Sequence, residues 1–231
     1  MRHLPLFREL AAPQLQRLLA HGEVRSCRKG ELLFREGHPP DCLFVLLDGM
    51  VELFTSKAGR DAVVLILWPS ETFSPAAALF DEPYLLSARM LSDGRLLALD
   101  AGAVREEVRQ CPALADAFVR ILAGQFRMTV RHIKDLKLRS GAQRLGAFLL
   151  RLVEQAGKQG CADLPFSKAI LASRLGLTPE TLSRSLRCLR DRGVTVRGSR
   201  IILTDRRKLE RFCAPDPLID GRELSLSVTA V

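Results

Sequence analysis

The chain lacks the residue spacings that mark metal and disulfide chemistry. Its six cysteines, Cys27, Cys42, Cys111, Cys161, Cys188 and Cys213, contain no C-x-x-C pair and no even interval, so neither a zinc site nor a disulfide framework is indicated. They read as reduced thiols. Long apolar runs are also missing: none approaches the roughly 20 residues needed to cross a bilayer, and no charged leader followed by an apolar stretch and a cleavage site opens the sequence. The expectation is a soluble, cytoplasmic protein with no membrane partner.

What is present points to packed cores and a polyanion. At 231 residues and 47% hydrophobic content the chain is long enough for two modest domains. Its formal charge of +9 is uneven. Residues 139–212 hold 16 Lys/Arg against 6 Asp/Glu, a net +10, which leaves −1 for the rest. A cationic region of that kind attracts nucleic acid before any base is read.

Along the chain, "LPLFRELAAPQLQRLLA" (4–20) has helical apolar spacing, with Pro13 where a helix can begin. From Gly22 to Asp100 the pattern becomes brief apolar runs, "ELLF", "CLFVLLDGMVELF", "AVVLILW" and "RLLALD", cut by Gly-containing turns. That reads as an antiparallel β-roll or jelly roll. "SPAAALFDEP" interrupts it as a short helix and loop. A long helix is predicted from Pro112 to about Leu138, with Val119, Leu122, Phe126, Thr129, Ile133 and Leu136 at coiled-coil intervals. At 1.5 Å per residue it would extend roughly 40 Å, too far for one small domain to cover. Val119, Leu122, Phe126, Ile133 and Leu136 are therefore the expected dimer interface, while Leu114, Phe118 and Ile121 can serve a second face. "SGAQRLGAFLLRLVEQAG" continues as an amphipathic helix, with Ser140-Gly141 as a candidate hinge. The implied division is 1–110 roll, 111–139 dimerisation helix, 140–213 basic domain and 214–231 tail.

"FSKAILASRLGLTPETLSRSLRCLRDRGVTVRGSRIILTD" reads as helix, tight turn, helix and two short strands: a winged helix-turn-helix. Ala172 is small where helices touch, Gly176 makes the turn, and Thr178-Pro179 cap and start the second helix. On that helix Leu182, Leu186 and Leu189 face the core, and Glu180, Ser183, Arg184 and Arg187 project the other way. These are groups that hydrogen-bond base edges in a major groove. Phosphate contacts are assigned to Arg174, Thr178, Thr181, Arg187, Arg197 and Arg200, with Arg190 and Arg192 as further candidates.

A roll, a long helix and this winged motif together resemble the CRP/FNR superfamily of bacterial transcription regulators, from "LFREL" to about Phe212. The most specific marks are "KGELLFREGHPPDCLFVLLDGMVELF" and "PETLSR". The resemblance implies an α+β chain, homodimeric, that binds double-stranded DNA and RNA polymerase. Its E-x-x-S-R set makes Glu180, Ser183 and Arg184 the readers of TTGAT half-sites in an inverted repeat. Ser185 departs from the family, which usually buries Ile or Val there.

The effector pocket that the resemblance implies comprises Pro75, Ala76, Leu79, Leu86, Phe126, Thr129 and Val130. Cyclic-nucleotide binders carry Gly-Glu and a later Arg to hold ribose and phosphate. Here Pro75 and Ala76 stand at Gly-Glu and Leu86 at Arg, and Arg89 would point to the opposite strand face. An apolar pocket does not offset the desolvation of a phosphodiester, so cAMP is not expected. An iron-sulfur cluster is not expected either, since no cysteine precedes Cys27. "ETFSPAAALFDEPYLLSA" and "LPLFREL" are similar to the Dnr/Nnr branch, which responds to nitric oxide through haem. By that resemblance haem is a candidate cofactor, with His3 as the candidate ligand among His3, His21, His38 and His132. A cupin-like metalloenzyme fused to a DNA module is a rival reading, but His38 stands alone in "REGHPPD" where a cupin needs paired histidines. A regulator with no small effector is a further alternative.

Overall fold

The computed structural model describes residues 1, 3–157 and 160–220. They fall into two compact units, one reaching Arg127 and the other beginning at Met128. Among the described residues no helix is long and apolar enough to cross a membrane.

The first unit opens with a 3-10 turn, Pro5–Phe7, and α1 (Ala12–Ala20), whose Pro13 sits in the first turn. Eight strands follow: β1 (Gly22–Cys27), β2 (Leu32–Phe34), β3 (Cys42–Asp48), β4 (Val51–Lys57), β5 (Arg60–Leu67), β6 (Thr72–Phe73), β7 (Ser87–Met90) and β8 (Gly94–Asp100). α2 (Pro75–Phe80) interrupts them, and α3 (Ala101–Gln110) and α4 (Pro112–Leu138) follow. The strands make two antiparallel sheets, ordered β1-β8-β3-β6 and β2-β7-β4-β5. This is the expected β-roll.

Strand alternation explains the unbroken apolar runs of β3 and β8. Leu43, Val45, Leu97 and Leu99 face one way, into a core with Leu6, Phe7 and Leu18. Phe44, Leu46, Leu96 and Ala98 face the other way, into a core with Phe34, Phe73 and Tyr84. The first sheet is thus covered on both faces, by helices and by the second sheet. Leu114, Ala117, Phe118 and Ile121 of α4 join the helical side, the second face anticipated for that helix. Most of its expected seam stays exposed, Val119 by 63%, Phe126 by 69% and Ile133 by 50%, while Leu122 is half-buried.

The second unit contains the remainder of α4, then α5 (Gly141–Gln155), β9 (Cys161–Asp163), α6 (Lys168–Arg174), α7 (Pro179–Arg190), β10 (Val194–Arg197), β11 (Arg200–Leu203), α8 (Arg206–Cys213) and α9 (Pro217–Asp220). Its wing has three strands, β10-β11-β9, not two. β9 is contributed by Cys161–Asp163, and Ile201↔Ala162 and Ile202↔Cys161 extend the hairpin into a sheet. Leu145, Leu149 and Val153 of α5 meet Leu171, Leu182, Leu189, Val194 and Leu209 in one core.

Gly94 lies where β8 passes the β3–β4 turn. A side chain there would run into the Asp48 carbonyl and lie 2.9 Å from the Gly49 Cα. Both obstacles are backbone, and Gly49 itself needs φ +85°. Gly94→Ala is expected to cost about 1–3 kcal/mol through forced backbone movement, read as a lowered calorimetric melting transition of the roll.

Candidate nucleic-acid interface and effector site

α6 ends at Arg174, and the chain turns through Leu175 and Gly176, whose φ of +63° a residue with a side chain rarely adopts. Thr178 then caps α7: its Oγ1 accepts the Thr181 amide at 3.2 Å, and Pro179 occupies the first turn. The face of α7 that carries Leu182, Ser185 and Leu189 is buried, with Leu186 packed beside it. The substituted Ser185 is therefore a core position, 5% exposed. Among the described residues no fully buried side-chain nitrogen or oxygen lacks a hydrogen-bond partner.

Glu180, Ser183 and Arg184 are exposed together on the opposite edge, and Arg187 with them. Glu180 is fully solvated, and its carboxyl is held below the usual range by its own backbone amide, by the Thr178 hydroxyl and by the Arg184 charge. Arg184 Nη2 donates to Thr181 Oγ1 at 3.3 Å, which orients the guanidinium along the first turns of the helix. The edge thus presents an acceptor, a hydroxyl and a five-donor fork at the amino-terminal end of α7.

The phosphate candidates separate by burial. Arg187, Arg190, Arg197 and Arg200 are exposed; Arg197 and Arg200 pair across the β10–β11 hairpin at the tip of the wing. Thr178 is exposed with its oxygen engaged in the cap, and Thr181 is half-buried. Arg174 and Arg192 are drawn inward. The Arg174 guanidinium lies 5.5 Å from the Phe148 ring, and that of Arg192 lies 4.1 Å from Phe212 while donating to the Cys188 carbonyl at 2.8 Å. Aromatic faces hold these two against the unit's own core.

Two buried arginines that the sequence did not single out hold the motif in place. Arg144 Nε donates to the Leu175 carbonyl at 3.1 Å and Nη1 to the Arg139 carbonyl at 2.7 Å, tying the turn of the motif to the end of α4. Arg139 is itself buried. One signal was available: Arg144 sits on the apolar face of α5, in phase with Phe148. His132 is half-buried nearby; burial lowers its pKa, the Arg174 and Arg144 charges add to that, and Asp135 opposes.

The residues expected to line an effector pocket differ in their surroundings. Pro75 is buried and Ala76 exposed at the start of α2. Leu79 packs on the helical side of the first sheet, whereas Leu86 packs between the sheets. Phe126, Thr129 and Val130 are exposed on α4. Arg89 points to the strand face opposite the inward Ala88 and Met90, as expected. There its Nε donates to Glu52 Oε1 at 2.7 Å, its Nη2 to Asp61 at 3.1 Å, and its guanidinium covers Phe54 at 4.5 Å. Phe34 stacks on Tyr84 at 3.9 Å, on Phe44 at 5.4 Å and on Phe73 at 6.1 Å, filling the space between the sheets. The haem expectation draws no support from this packing. His3 is exposed in the turn before Pro5–Phe7, and an interior closed by four stacked rings does not fit a macrocycle. Among the described residues no three His, Cys, Asp or Glu side chains group as a metal ion would require.

Residues 24–111 match the family model of the cyclic nucleotide-binding domain, and residues 143–212 that of the Crp-like helix-turn-helix domain. The "Cyclic AMP receptor protein" of Thermus thermophilus is 28% identical over 200 residues, 86% of this chain and 91% of its own length. The "CRP-like cAMP-activated global transcriptional regulator" of Mycobacterium tuberculosis is 25% identical over 189 residues, 79% of this chain and 84% of its own. A solved regulatory protein of Silicibacter pomeroyi, provisionally assigned to cAMP binding, is 30% identical, spans 93% of this chain and 96% of its own, and superposes with a TM-score of 0.61.

Proposed function

The chain belongs to the CRP/FNR family of transcription regulators, and on that footing we propose that it is a homodimeric regulator that reads a TTGAT-type inverted repeat under the control of an effector in the β-roll. The observation that carries the reading is the sorting of α7: Leu182, Ser185 and Leu189 buried, Glu180, Ser183 and Arg184 exposed at its capped end. The relative from Mycobacterium tuberculosis is described as a transcriptional regulator, and no catalytic role is proposed for this chain.

On DNA, Arg184 grips guanine bidentately, Glu180 accepts from cytosine and Ser183 bonds either partner, each good contact contributing about 1–3 kcal/mol of discrimination. Arg187, Arg190, Arg197 and Arg200 set the register on phosphates. Two copies reach half-sites about 34 Å apart through an α4 pair whose seam is Val119, Leu122, Phe126, Ile133 and Leu136. Effector binding biases that pair between two arrangements, and by reciprocity bound DNA tightens effector binding. Recruitment of RNA polymerase belongs to the same reading.

On this reading the effector is other than a cyclic nucleotide. Leu86 stands where a phosphate needs a guanidinium, and Arg89 is committed to Glu52 and Asp61 on the opposite face. Haem on His3, and nitric oxide sensing through it, lacks support in the packing of the roll.

Three outcomes test these points. Arg184→Ala is expected to weaken binding to the repeat about 5- to 150-fold, the equivalent of one base contact, and to relax preference at a single base pair, whereas Arg190→Ala weakens all sequences alike; quantitative footprinting separates the two, and an Arg184→Ala protein that binds the repeat as wild type does sinks the assignment. Phe126→Glu is expected to shift the protein from dimer to monomer in analytical ultracentrifugation and to leave only half-site affinity, because it places a charge in a seam where burying Phe would contribute about 1.5–3 kcal/mol. Excess cAMP is expected to leave repeat affinity unchanged, and added haem to give no Soret band beyond that of free haem.

A further inference from the structure

Beyond the matched helix-turn-helix domain, which ends at residue 212, the described chain to Asp220 stays in the second unit. Ala214 adopts a left-handed φ of 46° at the end of α8, and the chain doubles back. α8 is held close to α5 by Gly146, where any side chain would collide with Cys213 and lie 3.1 Å from Leu209. The Gln143 amide also donates to the Phe212 carbonyl at 3.2 Å. The reversal carries α9 to the α4–α5 junction.

There the Asp220 carboxylate meets two guanidinium groups. Arg139 Nη1 donates to its Oδ1 at 2.8 Å and Arg139 Nη2 to its Oδ2, a fork-on-fork pair, while Arg151 Nη1 donates to Oδ1 at 2.7 Å. The Asp216 amide donates to Oδ2 at 2.9 Å. Arg139 Nη2 also reaches the Ala214 carbonyl at 3.3 Å, and Nη1 the Asp135 carboxylate at 3.1 Å. The Arg139 side chain is 5% exposed and that of Asp220 15%. Burial alone would raise the Asp220 carboxyl, but the Arg139 and Asp216 hydrogen bonds and the two arginine charges more than offset it and hold it below the usual range. Arg139 follows the last residue of α4, Ser140 caps α5, and Arg151 lies almost three turns into α5. The three partners therefore come from both sides of the junction and from the tail.

We propose that Arg139 and Arg151 form a carboxylate-binding site whose ligand is the chain's own Asp220, and that this clasp fixes the α4–α5 junction at which the DNA-reading module is hung. The physical reason is asymmetry. Arg139 is buried with its charge, so losing the carboxylate leaves the guanidinium with Asp135 as its one close counter-charge besides the Ala214 carbonyl, an arrangement that favours release of the whole junction to water. Bidentate geometry makes the site selective for a planar carboxylate. Lys134, 3.8 Å from Asp216, adds a second tether from α4 to the same segment.

The test is hydrogen–deuterium exchange on the full chain, with amides of residues 134–146 as the readout. Asp220→Asn keeps the shape and removes the charge; exchange in 134–146 is expected to speed up at least about tenfold, the factor that 1.4 kcal/mol of lost protection gives, while β3 and β8 amides hold their rates. Arg151→Gln, which alters a partly exposed partner, is expected to accelerate the same segment several-fold and decides the matter should Asp220→Asn fail to fold. Leu218→Ala, on an exposed side chain of α9, is expected to change nothing. Unchanged exchange in the two charge variants, acceleration spread evenly over the chain, or equal acceleration in Leu218→Ala overturns the proposal. The measurement uses no DNA, so its failure leaves the operator reading standing.

Discussion

The second unit hangs on one buried cation. Arg144 donates from α5 to the last carbonyl before the junction and to the carbonyl that ends α6, so a single guanidinium sets where the turn of the helix-turn-helix lies relative to the end of α4. Hydrogen bonds to charged groups contribute about 1.5–3 kcal/mol each, and here the acceptors are carbonyls at helix ends, where the helix dipole favours a positive charge. Without it both carbonyls would be buried unpaired. The close approach of Gly141 to Leu177, where a Cβ would stand 2.6 Å from a Leu177 methyl, follows from the same constraint, since the junction and the turn are drawn together.

Much of this architecture was written plainly in the sequence. The capped helix of Thr178-Pro179, the turn at Gly176 and the two faces of α7 came from local chemistry, and local chemistry is what decides a helix start. The long helix from Pro112 to Leu138 was equally legible, because its two apolar faces repeat at different phases. The runs "CLFVLLD" and "RLLALD" identified β3 and β8 since both faces of their sheet are covered.

Other elements were hidden for physical reasons. β1 is an edge strand with four consecutive exposed residues; it owes its place to pairing with β8, and pairing leaves no mark in composition. β9 has three residues and becomes a strand only because β11 offers an edge. The inward turn of Arg174 and Arg192 depends on Phe148 and Phe212, aromatic rings distant in sequence, so spacing alone placed both arginines at the surface. The separation of two expected pocket residues was hidden for a similar reason: Leu79 and Leu86 are seven residues apart, yet the sheet between their environments sends one to each side. The tail gave no signal at all, because Asp220 acquires meaning only from Arg139 and Arg151, both remote in the chain.

The division of labour on α7 has an evolutionary corollary. The side chains that fasten the helix and those that face outward do not overlap: Leu182, Ser185 and Leu189 are committed inward, while Glu180, Ser183 and Arg184 are exposed and contribute nothing to the core. If these three residues read the operator as proposed, its preference is free to drift by replacing solvated residues that leave the core untouched, so a duplicated gene can acquire a new set of promoters while its scaffold stays as it is.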